Sequence, residues 1–153
     1  MPDMLVKLYE LHERATAPEG VEVRRALAAE KHRVVAFARE RWGDGWGSET
    51  EVAFSRDPVA CLIAVADGKL AGFAVYDVTA RGVFGPTGVD ESARGRGIGR
   101  ALLVETLLAM RAAGYAYAVI GWVGEARAFY ERAVNAVVIP DSEPGMYRGL
   151  LRG

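Results

Sequence analysis

The first third of the chain alternates apolar and polar residues in a pattern typical of two short strands followed by a helix. Apolar and aromatic runs predict strands at Leu5–Leu11 and Val21–Leu27. Within Ala28–Trp42, apolar residues recur every three or four positions while charged residues occupy the other faces, which predicts an amphipathic helix. Three glycines within Trp42–Gly47 then predict a break in regular structure, with a short helix at about Ser48–Phe54 after it.

The rest of the chain predicts a hairpin, a crossover unit and two closing strands. The pair Asp67-Gly68 is a turn signal between two β-rich runs. Gly85, Pro86 and Gly88 interrupt the next strand candidate, which predicts a bulge or a close approach by another backbone. The predicted elements are strands at Cys61–Ala66, Leu70–Asp77 and Val83–Val89, a helix from Gly97 to about Ala113, a strand at Tyr115–Gly121, a helix at Glu125–Val134, and strands at Val137–Ile139 and Met146–Leu150. This order indicates an α/β layered domain.

Length and composition fit one globular domain. The 153 residues are 51% hydrophobic and 25% charged, so we treat residues 1–153 as a single domain in which residues 1–20 add a strand and a connection. A formal net charge of −1 argues against a nucleic-acid partner bound by bulk electrostatics. No uncharged stretch is long enough for a membrane helix, and no export signal is present. The lone Cys61, interpreted as a buried strand residue, suits a reducing compartment, so we expect a cytoplasmic protein without a membrane partner.

The candidate chemistry concentrates between Arg94 and Arg100, where the sequence is Arg-Gly-Arg-Gly-Ile-Gly-Arg at a strand-to-helix junction. Glycines there allow a tight turn and present backbone N–H groups without side chains in the way. The helix that follows adds about half a positive charge at its N-terminus. With Arg96 as a third cation, the segment predicts a phosphate or pyrophosphate site. The alternative is a glycine-rich connection with solvated arginines.

Two familiar phosphate-binding loops are excluded by their spacing. A Walker-type loop ends in Gly-Lys-Ser/Thr, whereas this loop ends in Gly99-Arg100-Ala101. A dinucleotide fingerprint that starts at Gly95 or Gly97 would need glycine or alanine where Arg100 or Leu102 stands.

The motif Arg94-x-x-Gly97-x-Gly99 after a strand resembles the Arg/Gln-x-x-Gly-x-Gly/Ala signature of the GCN5-related N-acetyltransferase (GNAT) superfamily. A second family segment, a strand at Tyr117–Gly121 followed by a helix that begins Ala126-Arg-Ala-Phe-Tyr-Glu, is also present. The resemblance spans roughly Val21 to Leu150. It implies a mixed, largely antiparallel sheet of about seven strands with helices on both faces, splayed at the middle strands to admit coenzyme A.

The resemblance also implies acetyl-coenzyme A as co-substrate and assigns roles to particular residues. Backbone N–H groups of the glycine-rich loop would hold the pyrophosphate, and the backbone of Val89 would pair with the pantetheine arm. Tyr130 stands where the family has a general acid that protonates the departing thiolate, although a core aromatic residue is the alternative interpretation. Val123 replaces an asparagine common in the family, and Asn135 replaces a glycine. The implied coenzyme A-binding residues are Val89, Arg94, Gly95, Arg96, Gly97, Ile98, Gly99 and Arg100.

The general base and the acceptor pocket are less well defined by the sequence. Glu49, Glu51, Asp77 and Asp90 are all conceivable as the base, with Glu49 or Asp77 as the candidates, and nothing in the sequence chooses among them. Family members build the acceptor pocket after the first helix and between the last strands, which makes Trp42, Trp46 and Glu143 the candidate pocket residues. We expect no metal ion.

The expected reaction is direct transfer of an acetyl group to a primary amine of a small molecule. Aminosugars, polyamine-like amines and peptide or protein amines remain open as acceptors. A binding module that senses acyl-coenzyme A without catalysis is the alternative from another class. The apolar segments Val137–Ile139 and Met146–Leu150 suggest pairing with a second copy of the chain in a homodimer.

Overall fold

A computed structural model describes residues 1–12 and 17–152; residues 13–16 of the predicted N-terminal connection lie outside the described residues. The regular elements are β1 (Met4–Lys7), β2 (Val21–Arg25), α1 (Lys31–Trp42), α2 (Asp44–Ala53), β3 (Cys61–Ala66), β4 (Lys69–Tyr76), β5 (Val83–Val89), α3 (Ile98–Ala112), β6 (Tyr117–Ile120), α4 (Arg127–Val134) and β7 (Val137–Val138). Short 3₁₀ turns lie at Leu8–Glu10, Ala28–Glu30, Glu91–Ala93 and Gly145–Tyr147. None of the helices in the described ranges has the length and apolar character needed to cross a membrane.

The strands form one seven-stranded sheet in the order β2-β3-β4-β5-β6-β1-β7. Neighbouring strands are antiparallel except for β5 and β6, which run parallel. In the described chain, β5 and β6 pair through Val83 with Val119 and through Phe84 with Ile120, and then diverge. The rest of β5 therefore leaves an opening in the middle of the sheet, which confirms the predicted splayed, largely antiparallel arrangement.

Helices cover both faces of the sheet, as consecutive residues of β4 show. Because side chains alternate across a strand, Gly72 and Phe73 point to opposite faces. A Cβ atom on Gly72 would lie 3.0 Å from Cδ1 of Leu102 in α3. The Phe73 ring instead lies 6.2 Å from the Phe37 ring of α1 and 6.3 Å from the Trp46 ring of α2, measured between centroids.

The predicted break after the first helix is shorter than expected. Regular structure resumes at Asp44, so Gly43 alone separates α1 from α2, with φ of 98°. Gly47 lies inside α2, against α1. A Cβ atom at this position would be 2.9 Å from Nε of Arg39, which is too close. Glycine at this position thus permits the close packing of α1 against α2 rather than breaking the helix.

Two predicted strands are wrong in whole or in part. The strand expected at Leu5–Leu11 ends at Lys7 and continues as a 3₁₀ turn. The strand expected at Met146–Leu150 is not formed, because left-handed Gly145 (φ 68°) and Gly149 (φ 86°) fold the chain into turns. The predicted homodimer therefore lacks one of its two pairing strands, and β7 alone stands at that edge of the sheet.

Several local signals are confirmed by the backbone. Asp67 and Gly68 both adopt positive φ, 52° and 72°, in the β3–β4 hairpin, as a two-residue turn requires. Asn135 adopts φ of 54° at the end of α4, the left-handed cap expected there. Cys61 is fully buried in β3, and burial raises the pKa of its thiol to about 12. The thiol is thus protonated and inert at neutral pH.

Candidate active site

The glycine-rich segment forms a backbone cradle at the start of α3. Gly95 and Gly97 adopt left-handed conformations with φ of 79° and 85°, which glycine tolerates without steric cost. Gly97 occupies the N-cap position, and no described side chain caps the helix there. The first helical backbone bond runs from the N–H of Ala101 to the carbonyl of Gly97, at 3.1 Å. The N–H groups of the first turn therefore have no partner within the helix and are available to an anion.

A cavity of about 350 Å³ lies directly against this cradle. Arg94 lines the cavity, and its Nε donates a hydrogen bond to the carbonyl of Val89 at 3.2 Å. The Arg96 guanidinium donates to the carbonyl of Glu19 at 3.4 Å, and Arg100 is exposed on the surface. Ile98 is buried, so its side chain anchors α3 while its backbone borders the cavity. The left-handed glycines, the uncapped helix and the nearby arginines fit a pyrophosphate group.

Asp90 places a negative charge next to the cradle, but its carboxylate accepts hydrogen bonds from Ser92 and Arg41. The Ser92 hydroxyl and backbone N–H donate to Oδ2 of Asp90, and Nε of Arg41 donates to Oδ1 at 2.7 Å. These hydrogen bonds, that of the Ser92 hydroxyl foremost, lower the pKa of Asp90 to about 2. The Arg41 guanidinium also lies 3.8 Å over the Phe37 ring. Arg41 thereby offsets an acidic side chain that would otherwise repel a phosphate.

A second cavity, of about 390 Å³, lies where β5 and β6 diverge, and residues of both strands line it. Thr87, Ala126 and Tyr130 line both cavities, so the two cavities adjoin between β5 and β6, and together they are called the cleft. Tyr130 thus lies at the junction of the cleft. Its side chain is 8% exposed, and burial raises the pKa of its phenol to about 12.

A carboxylate with two hydroxyl neighbours lies in the second cavity. Glu49 of α2 accepts hydrogen bonds from the hydroxyl of Thr79 and from the phenol of Tyr147, the latter 3.0 Å from Oε2. All three residues line the cavity. Burial is the main cause that raises the pKa of Tyr147, so its phenol keeps the proton that it donates to Glu49.

One protein family has a sequence profile that matches most of this chain. The profile of the acetyltransferase (GNAT) family matches residues 10–135. The chain belongs to the GNAT acetyltransferase family. A search of curated protein sequences finds no match.

Solved structures of GNAT proteins have the same fold. A GCN5-related N-acetyltransferase from Sphaerobacter thermophilus is 24% identical over 90% of this chain with a TM-score of 0.70, and this chain covers 48% of that protein, about half its length. The GNAT family N-acetyltransferase YhbS from Escherichia coli, in complex with CoA, is 23% identical with a TM-score of 0.60, covering 80% of this chain and 71% of its own. A GNAT family acetyltransferase from Brucella melitensis, in complex with acetyl-CoA, is 26% identical with a TM-score of 0.51, covering 71% of this chain and 80% of its own.

In this GNAT cleft the sequence-predicted residues separate into two groups. Trp46 and Glu49 border the second cavity, whereas Trp42, expected in the acceptor pocket, borders the cradle. Asp77 is not among the described residues that line either cavity. Its carboxylate accepts hydrogen bonds from the N–H of Gly82 at 2.7 Å and the hydroxyl of Tyr115 at 3.0 Å, which hold the turn between β4 and β5. The structure therefore gives Asp77 a structural role and brings Glu49 to the cleft.

The candidate pocket residue Glu143 lies outside the described lining of both cavities. Its carboxylate pairs with the α-amino group of Met1. The next residue, Pro144, accepts a hydrogen bond from Nε1 of Trp122 at 3.2 Å, which attaches this segment to the mouth of the second cavity.

Thr79, Trp122 and Tyr147 also line the second cavity, and the sequence did not predict them as site residues. Tyr147 was assigned to a strand that does not form, and Thr79 lies in a turn with no motif of its own. Trp122 follows an apolar strand without a periodic signal. None of the three carries a local pattern that would have revealed it. Within the described residues, no group of three His, Cys, Asp or Glu side chains is arranged to hold a metal ion.

Proposed function

We propose that this GNAT protein is an acetyl-coenzyme A-dependent N-acetyltransferase that acetylates a primary amine of a small molecule by direct attack. The observation that carries the proposal is the pair of adjoining cavities, one against the cradle of α3 and the other lined by Glu49, with Tyr130 lining both. A cleft with an anion site at one end and a carboxylate at the other suits a phosphate-bearing donor and a cationic acceptor.

The cradle residues hold the donor. Backbone N–H groups of the segment from Gly95 to Arg100 bind the pyrophosphate of coenzyme A, and Arg94 lies beside it. The part of β5 that is paired with β4 but not with β6, and that ends at Val89, offers its free backbone edge to the pantetheine arm in place of a strand. Acetyl-coenzyme A supplies an activated acetyl group as a thioester. Holding both substrates in one cleft supplies positioning, an effect worth roughly 7–11 kcal/mol in favourable cases.

Glu49 is the base of the proposed reaction. The acceptor nitrogen loses two protons in forming the amide: the neutral amine attacks the thioester carbonyl carbon, a C–N bond forms, the C–S bond breaks, and the proton lost from the nitrogen after attack passes to the departing thiolate. Before the attack, the ammonium form of the acceptor must give up its extra proton so that the nitrogen lone pair is free. Glu49 accepts that proton directly or through a water molecule. The hydrogen bonds from Thr79 and Tyr147 fix the orientation of its carboxylate.

Tyr130, which the resemblance assigns as a general acid, is the hydrogen-bond donor to the leaving sulfur in the proposed reaction. With a pKa of about 12, its phenol is protonated at neutral pH and can donate to the departing sulfur. A thiol has a pKa near 8.5, so complete proton transfer from the phenol is uphill. The O–H group therefore acts chiefly by a hydrogen bond that strengthens as negative charge develops on the sulfur.

The test combines a binding measurement with a turnover measurement on one sample. Calorimetric titration with acetyl-coenzyme A should show binding, and an amine panel followed by release of free thiol should show turnover with a small amine. Binding without thiol release for any small amine would favour the acyl-coenzyme A sensor, and release only with peptides would favour a peptide acceptor. A folded protein that does not bind acetyl-coenzyme A would contradict the proposal.

A further inference from the structure

We infer that the acceptor is a small amine with one positive charge, a flat or apolar body, and no carboxylate or phosphate group. This inference rests on the proposed function and concerns the second cavity, here named the acceptor cavity, whose lining includes Met1, Trp46, Glu49, Trp122, Tyr130 and Tyr147.

The charges of the acceptor cavity favour a single cation. Glu49 is the one carboxylate among the described lining residues, and no Lys, Arg or His side chain is among them. The α-amino group of Met1 is paired with Glu143. A carboxylate or phosphate on the acceptor would lose its water shell beside Glu49 without gaining a cationic partner. A second ammonium group on the acceptor would likewise find no second carboxylate.

Aromatic rings form the walls around Glu49. Trp46, Trp122 and Tyr147 all line the acceptor cavity, and the rings of Trp122 and Tyr147 lie 4.5 Å apart between centroids at an angle of 42°. Indole and phenol faces attract ammonium groups and stack on flat bodies. The remaining walls are mainly apolar, which leaves few partners for the several hydroxyl groups of a sugar.

Trp122 is held in place at the cost of an unfavourable backbone conformation. Its φ is 50°, a value that bulky residues rarely adopt. The backbone N–H of Trp122 donates to Oδ1 of Asp3 at 3.0 Å, and Asp3 is 6% exposed. Trp122 is nevertheless 41% exposed as a residue. A strained residue that presents its ring to a cavity rather than to the core is typical of a binding site.

The volume of the acceptor cavity favours a small body. At about 390 Å³ it is at the lower end of the range for ligand pockets, roughly 300–1,000 Å³. The acetyl end of the donor must also reach Tyr130 at the junction. A single ring on a short aminoalkyl chain fits this space better than a peptide.

Matched amines test the inference with acetyl-coenzyme A and the full chain. The probes are 2-phenylethylamine, phenylalanine (the same body with an added carboxylate), glucosamine and spermidine, with thiol release as readout and mass spectrometry of the product. We expect kcat/KM for 2-phenylethylamine to exceed that for each of the other three at least tenfold. A preference for phenylalanine, glucosamine or spermidine would overturn the inference and leave the proposed acetyl transfer intact.

Paired variants test the assignment of the cavity. Glu49→Gln should lower kcat/KM for 2-phenylethylamine at least a hundredfold, and Trp122→Ala should raise its KM about tenfold. The matched control is Glu51→Gln, on the same helix, exposed and paired with Lys31 at 3.4 Å, which should leave turnover unchanged. All variants should bind acetyl-coenzyme A as wild type does. Equal effects of Glu49→Gln and Glu51→Gln on turnover would overturn the inference. A wild-type protein that does not bind acetyl-coenzyme A would instead overturn the proposed function.

Discussion

The indole of Trp42 lies so close to the backbone of Gly88 that a Cβ atom on Gly88 would be 2.3 Å from Cη2 of the ring. The same indole contacts the rings of Phe37, Trp46 and Phe73, with centroids 5.8, 5.0 and 5.8 Å away. It therefore has little room to move. This contact joins α1 to β5 at the wall of the cradle, since both Trp42 and Gly88 line that cavity.

Gly88→Ala should consequently destabilise the protein and weaken coenzyme A binding. Overpacking of this kind costs about 1–3 kcal/mol in the free energy of unfolding. The matched control is Gly45→Ala in α2, where no described atom lies within 4 Å of the added Cβ. That control should be neutral or slightly stabilising, because alanine favours helix by roughly 0.5–1 kcal/mol. Urea unfolding and calorimetry check both variants, and equal stabilities would contradict the tight contact.

Gly99→Val should strongly weaken coenzyme A binding while the fold remains. Gly99 does not adopt positive φ, and its Cβ would make an ordinary contact 3.7 Å from Cγ2 of Val89, so valine fits the backbone but fills the cradle. Gly97→Val is a less clean test, because φ of 85° adds backbone strain of about 1–2 kcal/mol. We expect at least a tenfold rise in the Kd of coenzyme A for Gly99→Val, with the same circular dichroism spectrum as wild type. Unchanged binding would show that the cradle is assigned wrongly.

Tyr130→Phe should lower turnover far more than affinity. Phenylalanine keeps the ring contacts with Phe84 and Phe129, at 6.5 and 5.3 Å between centroids, and removes only the hydroxyl group. Loss of a hydrogen-bond donor to developing negative charge typically reduces kcat about 10²–10³-fold. Steady-state kinetics with calorimetric titration separates the two effects. Equal losses in kcat and in acetyl-coenzyme A affinity would indicate a packing role instead.

The same tyrosine predicts a loss of stability at high pH. The unfolded chain releases the phenol proton near pH 10, whereas the folded protein holds it up to about pH 12 because of burial. The contribution is therefore fully present below pH 10 and is lost as pH rises towards 12, by about 2–3 kcal/mol in total. Urea unfolding at pH 9 to 12 should show a steeper loss for wild type than for Tyr130→Phe. Parallel curves would contradict the buried, neutral phenol.

Tyr147→Phe should reduce kcat about 10-fold with little change in the Kd of acetyl-coenzyme A. The phenol donates to Glu49, so its removal leaves the carboxylate less well oriented. Tyr117→Phe is the control, because Tyr117 is exposed and lies outside the described lining of both cavities. A fall in thermal stability that accounts for the lost activity would point to packing rather than to positioning.

The fold and the cradle could largely be predicted from local sequence. The hairpin around Asp67-Gly68, the long helix after Gly97 and the cap at Asn135 each depend on the backbone preferences of a few adjacent residues. The family motif lies within one such segment. Sequence therefore predicted the position of the cradle, although it did not predict that Trp42 borders the cradle rather than the second cavity.

What the sequence by itself determined is most of the helices and strands and the cradle, because periodicity and glycine conformations act within a few residues. The acceptor cavity was decided only by tertiary structure. Glu49, Thr79 and Tyr147 come from a helix, a turn and a C-terminal segment, and they meet because the sheet order brings those segments to one opening. No sequence pattern distinguishes Asp77 from Glu49 as a candidate base. In the folded protein, however, the Asp77 carboxylate is hydrogen-bonded within a turn, whereas Glu49 lines the cleft. Convergence of distant side chains depends on long-range packing, which no local pattern encodes.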